Sequence, residues 1–147
     1  MQKLFTLILF IALASSTFAQ VNSYNGYKWG TPYSEMEDKL VPSDNKIPGY
    51  KSYEMKNQEM KFEGFTVHTL SYVFKKNVFY GVNIGFYSKD KEAILALLTK
   101  KYGEPKAVET PFVVNYEWHL EKTAMALTYL PTNQGDKSLS FTMGKKK

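Results

Sequence analysis

Phe65-Thr-Val-His-Thr-Leu-Ser-Tyr-Val-Phe74, Lys75-Lys76-Asn77 and Val78-Phe-Tyr-Gly-Val-Asn-Ile-Gly-Phe-Tyr87 decide the fold. The two outer runs are rich in β-branched and aromatic residues, which fit a pleated sheet, and the short polar link between them suits a hairpin turn. With a two-residue period, Val78, Tyr80, Val82, Ile84 and Phe86 share one face, expected to be the core face, and Phe79, Gly81, Asn83, Gly85 and Tyr87 share the other. A helix is expected to follow directly, from Lys89 to Tyr102. Ser88 stands at its cap, Asp90 and Glu92 in its first turn, Lys100 and Lys101 in its last, and Gly103 and Pro105 beyond it. Ile94, Leu97, Leu98 and Tyr102, helped by Leu95, form its apolar stripe.

Downstream, Phe112 to Leu120, Thr123 to Leu130 and Leu139 to Met143 read as three antiparallel strands, with Glu121-Lys122 as one turn and Pro131 to Lys137 as a loop. Upstream, Val21 to Tyr27 reads as a loose lead-in. Gly30 breaks the strand-like run Tyr27-Lys28-Trp29, Thr31 is placed to cap, and Pro32 suits a first helical position, so a short helix is expected to run to Leu40. Val41 to Gly49 is a loop by its turn chemistry, Tyr50 to Met55 a polar strand, and Lys56 to Glu63 a hairpin loop. The expected fold is α+β: an antiparallel sheet of about six strands with two helices on one face. The element order suggests two helix-strand-strand-strand repeats in one domain spanning residues 20–147.

Residues 1–19 carry the pattern of a cleavable secretory leader. Lys3 precedes the apolar run Leu4 to Leu13, and Thr17-Phe18-Ala19 sets the cleavage site after Ala19. The apolar run is shorter than the roughly 20 residues that span a bilayer, and no later stretch reads as a membrane helix. A periplasmic or secreted protein is expected. The chain has no cysteine, which excludes thiol catalysis, cysteine-based metal sites and redox exchange, and fits a bacterial setting better than a disulfide-stapled eukaryotic one. The formal charge is +5, and one of those cations, Lys3, leaves with the leader. The remaining lysines are interspersed with acids rather than forming a phosphate-tracking stripe, so no nucleic-acid partner is expected.

Lys28-Trp29-Gly30-Thr31-Pro32 before an acidic stretch, together with Lys101-Tyr102-Gly103-Glu104-Pro105 at the close of the second helix, resembles small uncharacterised exported α+β proteins of Bacteroidetes-like bacteria. The likeness spans most of residues 20–147. Helix-plus-meander repeats are also similar in architecture to envelope assembly lipoproteins of the BamE type and to β-lactamase-inhibitor proteins. This chain lacks the cysteines that either type uses, so the resemblance transfers no site residue.

His68 and His119 are the only histidines and stand in no metal-ligand spacing, so neither a metal nor a cofactor is expected. Glu117 and His119, two apart on one strand face, form the one candidate acid/base pair; a solvated pair is its ordinary alternative. Ser71 and His68, as nucleophile and base, fail by strand alternation, which sets them on opposite faces. Aromatics supply the remaining signal, and most belong in a core. Any surplus on an uncovered sheet face suits a peptide, a glycan or a hydrophobic ligand. Tyr116 and Trp118 are the candidate ligand-binding residues, with no catalytic residue assigned. The leading expectation is a non-enzymatic exported binding or envelope-interaction module with an envelope protein, peptide or glycan as partner. The alternative is a small periplasmic hydrolase built on an acid and a histidine.

Overall fold

The computed structural model describes residues 21–131 and 135–147. The expected leader and the middle of the expected Pro131 to Lys137 loop lie outside these. In chain order the strands are β1 (Ser23–Tyr24), β2 (Tyr27–Lys28), β3 (Leu40–Pro42), β4 (Lys51–Met55), β5 (Lys61–Phe62), β6 (Phe65–Lys75), β7 (Val78–Phe86), β8 (Lys106–Glu109), β9 (Val114–His119), β10 (Thr123–Tyr129) and β11 (Leu139–Lys145). Among the described residues one α-helix, α1 (Lys91–Tyr102), stands between β7 and β8. β1 and β2 form a small hairpin of their own. The rest join one antiparallel sheet in the order β3-β4-β6-β7-β11-β10-β9-β8, with β5 pairing off this path onto β6. Two four-strand meanders therefore meet along β7 and β11, and β3 and β8 are the free edges.

This corrects the expected fold in both of its numbers. The sheet has nine strands rather than about six, and one α-helix covers it rather than two. The stretch expected to be the first helix is a pair of 3-10 turns, Tyr33–Glu35 and Glu37–Lys39, interrupted at Met36 with φ −121° and ψ −17°. Thr31 does not cap it: its hydroxyl donates to the Lys28 carbonyl. Pro32 bridges to Val78, and the backbone N–H of Tyr33 donates to the Asn77 carbonyl, so pairing with the sheet captures the segment before a helical nucleus closes. The helix-strand-strand-strand repeat falls with it. The first meander is headed by turns, and each meander has four strands because β3, expected as a helix end and the start of a loop, and β8, not among the expected strands, add to the edges.

The hairpin at the centre forms as expected. Lys76 and Asn77 have φ of 50° and 60°, the left-handed pair that a two-residue turn between twisted strands requires. α1 begins at Lys91, after a 3-10 turn over Ser88–Asp90. Ser88 is not its cap, since its hydroxyl is held 2.6 Å from that of Ser138. Of the expected stripe, Ile94 and Leu98 are fully buried, while Leu95 and Tyr102 pack at the margin.

Helix α1, the 3-10 turns, the β1–β2 hairpin and β5 all cover the same face of the sheet. Their Ile94, Leu98, Met36, Tyr24, Trp29 and Phe62 pack onto Leu70, Tyr72, Phe74, Phe86, Leu127 and Phe141 beneath them. Ring pairs knit this layer, among them Trp29 with Phe79 at 5.2 Å and Phe62 with Phe86 at 5.7 Å between centroids. At roughly 1.5 to 3 kcal/mol for each fully buried large apolar side chain, this one-sided core is the main source of stability.

Two register shifts decide what reaches the other face. Val67 pairs with Phe86 and Thr69 with Gly85, leaving His68 as an extra residue; Phe74 pairs with Phe79 and Val73 with Gly81, leaving Tyr80 extra. Each bulge inverts the alternation beyond it. Phe79 is accordingly fully buried in the core, whereas Tyr80 is displaced to the opposite side, the reverse of the expected alternation.

Candidate functional site

Among the described residues, the face away from the core carries no helix. Across it runs the cross-strand row His119, Ala124, Gly144, Gly81 and Val73, each paired with the next. The backbones force the row's centre to be small. A Cβ added at Gly81 would lie 2.5 Å from the Met143 carbonyl oxygen, and one at Gly144 would lie 2.8 Å from the Tyr80 carbonyl oxygen. The two strands close so tightly beside the Tyr80 bulge that only glycine fits, and the floor there is bare backbone.

Walls rise around this floor. Tyr80 leaves the core through its bulge, and Tyr50 arrives from the Ser43–Tyr50 segment, whose Gly49 takes a left-handed φ of 81°. Their rings sit 5.4 Å apart, and the Lys75 ammonium lies 5.5 and 5.7 Å from the two ring centroids. Burial and the Tyr50 ring beside it push the Tyr80 phenol above its ordinary pKa. Ile47 and Val73 complete that end, His119 and Ala124 form the other, Asn83 and the exposed Thr142 stand along one side, and Lys146 and Lys147 along the opposite one. The groove encloses about 430 Å³. No aspartate or glutamate is among its lining residues.

A second hollow of about 790 Å³ opens on the core side, between the β1–β2 hairpin and the chain around Met55 to Lys61. Its polar groups already serve each other. Asn25 donates to the Tyr72 hydroxyl at 3.1 Å, Lys39 to the Tyr27 hydroxyl at 3.1 Å, and the Gln58 amide to the Leu70 carbonyl at 2.9 Å. Burial raises the Tyr24 phenol to about 12, so it stays protonated there. These contacts brace the hairpin against the sheet.

Tyr116 and Trp118 both lie on the core side. Trp118 is 3% exposed, and its indole N–H donates to the Gly103 carbonyl at 2.8 Å, locking the end of α1 to β9. Tyr116 is half-buried against the core, with the Lys91 ammonium 5.9 Å from its ring centroid. The open face instead presents Tyr50 and Tyr80. The sequence signal for Tyr80 was misleading, because strict alternation places it in the core.

Glu117 and His119 do meet, with Oε2 and Nε2 3.4 Å apart, and their side chains are 31% and 56% exposed. His119 lines one end of the groove and Glu117 does not. Their partners in the ladder are Ala126, Ala124 and Lys106, so no hydroxyl or thiol stands opposite the pair. The bulge also changes the expectation for Ser71 and His68, which share the open face after all. Their bonds nevertheless diverge. Ser71, fully buried, contacts the Ser43 hydroxyl at 3.2 Å, and His68 Nδ1 contacts Thr69 Oγ1 at 3.0 Å. Among the described residues no group of three His, Asp or Glu side chains converges in a way that would hold a metal ion, and no helix is long and apolar enough to cross a membrane. Comparison of the chain with protein-family models, curated proteins and solved structures finds no match to any of them.

Proposed function

We propose that this chain is a non-enzymatic exported binding module that holds its ligand on the open face of the sheet, in the groove between Tyr80 and His119. The observation that carries this reading is the placement of Tyr50 and Tyr80. Both rings stand outside the core, braced by each other and by Lys75, over a floor of bare backbone that leaves room for another molecule. Tyrosine joins an apolar body to a polar edge, the combination that binding surfaces favour. A groove of about 430 Å³ falls within the roughly 300–1,000 Å³ range of small-ligand sites. The leader pattern of residues 1–19 supports export, and the secreted form is expected to begin at Gln20, which an intact-mass measurement reads directly.

The test is a backbone NMR titration of the purified protein with lipid, glycan and peptide fractions of an envelope extract. The expected result is that one fraction shifts the amides of Val73, Gly81, Asn83, Ala124 and Thr142. Shifts clustered on the α1 side, or none from any fraction, would overturn the reading. The hydrolase alternative predicts that the active fraction is converted over time and that Glu117→Gln stops the conversion.

A further inference from the structure

We infer that the ligand of the open face is a single-chain anionic amphiphile, in chemical class an alkyl carboxylate. This rests on the binding reading above and specifies it. The groove follows a row of five residues on five adjacent strands, so at about 4.8 Å per strand it runs roughly 19 Å across the sheet. Its length is lined by Ile47, Val73, Ala124, the Tyr50 and Tyr80 rings and bare glycine backbone.

The backbone of that floor is already paired within the ladder, so it offers no free hydrogen-bonding groups upward. A peptide lying flat on it would bury its own N–H and C=O groups without partners, at a cost of order 1–3 kcal/mol for each. An alkyl chain has no such groups to satisfy. It gains from apolar contact alone, about 0.8 kcal/mol per buried CH₂.

The sign of the polar head follows from charge, with Lys75 beside the tyrosine rings at one end and lysines along one side. Lys146 and Lys147 stand at one rim, while Lys145, paired with buried Thr123, alternates to the core side; among the described residues no aspartate or glutamate lines the groove, and Glu117 lies 3.4 Å from His119 at its end. Lys146 Nζ donates to the Leu120 carbonyl, which anchors one of these ammonium groups at the rim. A cationic head would meet like charge there, whereas an anionic head would be attracted. An anionic head completes the site.

The experiment titrates the purified protein with laurate below its micellar concentration, using dodecanol and dodecyltrimethylammonium as same-length controls and NMR as the readout. Laurate is expected to bind, shifting the open-face amides, at least tenfold more tightly than either control. Thr142→Trp, which fills the groove from an exposed position, is expected to abolish binding. Lys146→Glu with Lys147→Glu is expected to weaken laurate at least tenfold while leaving dodecanol unchanged. An unchanged amide spectrum away from the substitutions establishes that the variants are folded. Equal binding of all three amphiphiles, or laurate binding that Thr142→Trp does not touch, would overturn the inference. If laurate is silent while an extract fraction shifts the same amides, the ligand class is wrong and the open-face reading stands. Silence from both overturns both.

Discussion

A methyl group added at Gly85 would meet the His68 ring at 2.3 to 2.8 Å. The bulge turns His68 over this glycine, and Tyr87 packs its ring edgewise at 5.5 Å. Gly85→Ala is therefore expected to destabilise by about 1–3 kcal/mol, as overpacking does. Most of that cost should vanish in a His68→Ala background, which a double-mutant cycle by urea unfolding measures. Additive costs would mean that the ring does not occupy this space. The same burial lowers the ring's pKa below its ordinary 6.5, against an opposing backbone hydrogen bond with Phe86, with Lys137 lowering it further and Asp136 opposing. The folded chain therefore favours the neutral ring, and below pH 6.5 the unfolded chain binds the more protons. Stability is then present above that pH and declines as pH falls through 6.5 toward the folded value. His68→Gln is expected to flatten this part of the stability–pH curve, and an unchanged slope would assign it to other groups.

At the scale of the elements, α1 is held by few contacts. Ile94 and Leu98 are its fully buried side chains, and the Trp118 indole clamps its C-terminal end through the Gly103 carbonyl. Leu98→Ala is expected to cost about 2–5 kcal/mol and Leu97→Ala clearly less, because Leu97 is only partly covered. Trp118→Ala should cost about 3–5 kcal/mol. Trp118→Phe, which keeps a ring but loses the donor, should recover much of that, as thermal unfolding would show. The end signals and stripe of α1 were legible because it is long enough to carry them. Tyr33 to Lys39 holds the same kinds of residue in barely two turns, and backbone bonds of Tyr33 with Asn77, and of Gly30 and Thr31 just before it with Phe79, tie its start to the central hairpin and override its helical signals. β3 and β8 escaped notice for a related reason. Edge strands of three and four residues show no alternation to detect, and they exist because a neighbouring strand offers a ladder.

For the whole molecule, one-sided coverage orders stability across the sheet. β6, β7 and β11 lie at its centre beneath the buried aromatics, while β3 and β8 each have a single neighbour. Amide hydrogen exchange is expected to be slowest in the central three and to approach unprotected rates in β8, whose residues are all exposed. Uniform protection out to β8 would mean that another molecule covers that edge. The amino-acid sequence by itself determined the central hairpin, the main helix and the last three strands, β9 to β11, since local propensity, hydrophobic period and turn chemistry act within a few residues of one another. It also marked the chain as sheet-forming and aromatic-rich. Which aromatics reach solvent was decided only by tertiary structure. The extra residues at His68 and Tyr80 exist only relative to a partner strand, and each inverts the alternation beyond it. Tyr80 consequently stands over the open groove, whereas Trp118 lies on the core side through the unshifted β9–β10 register.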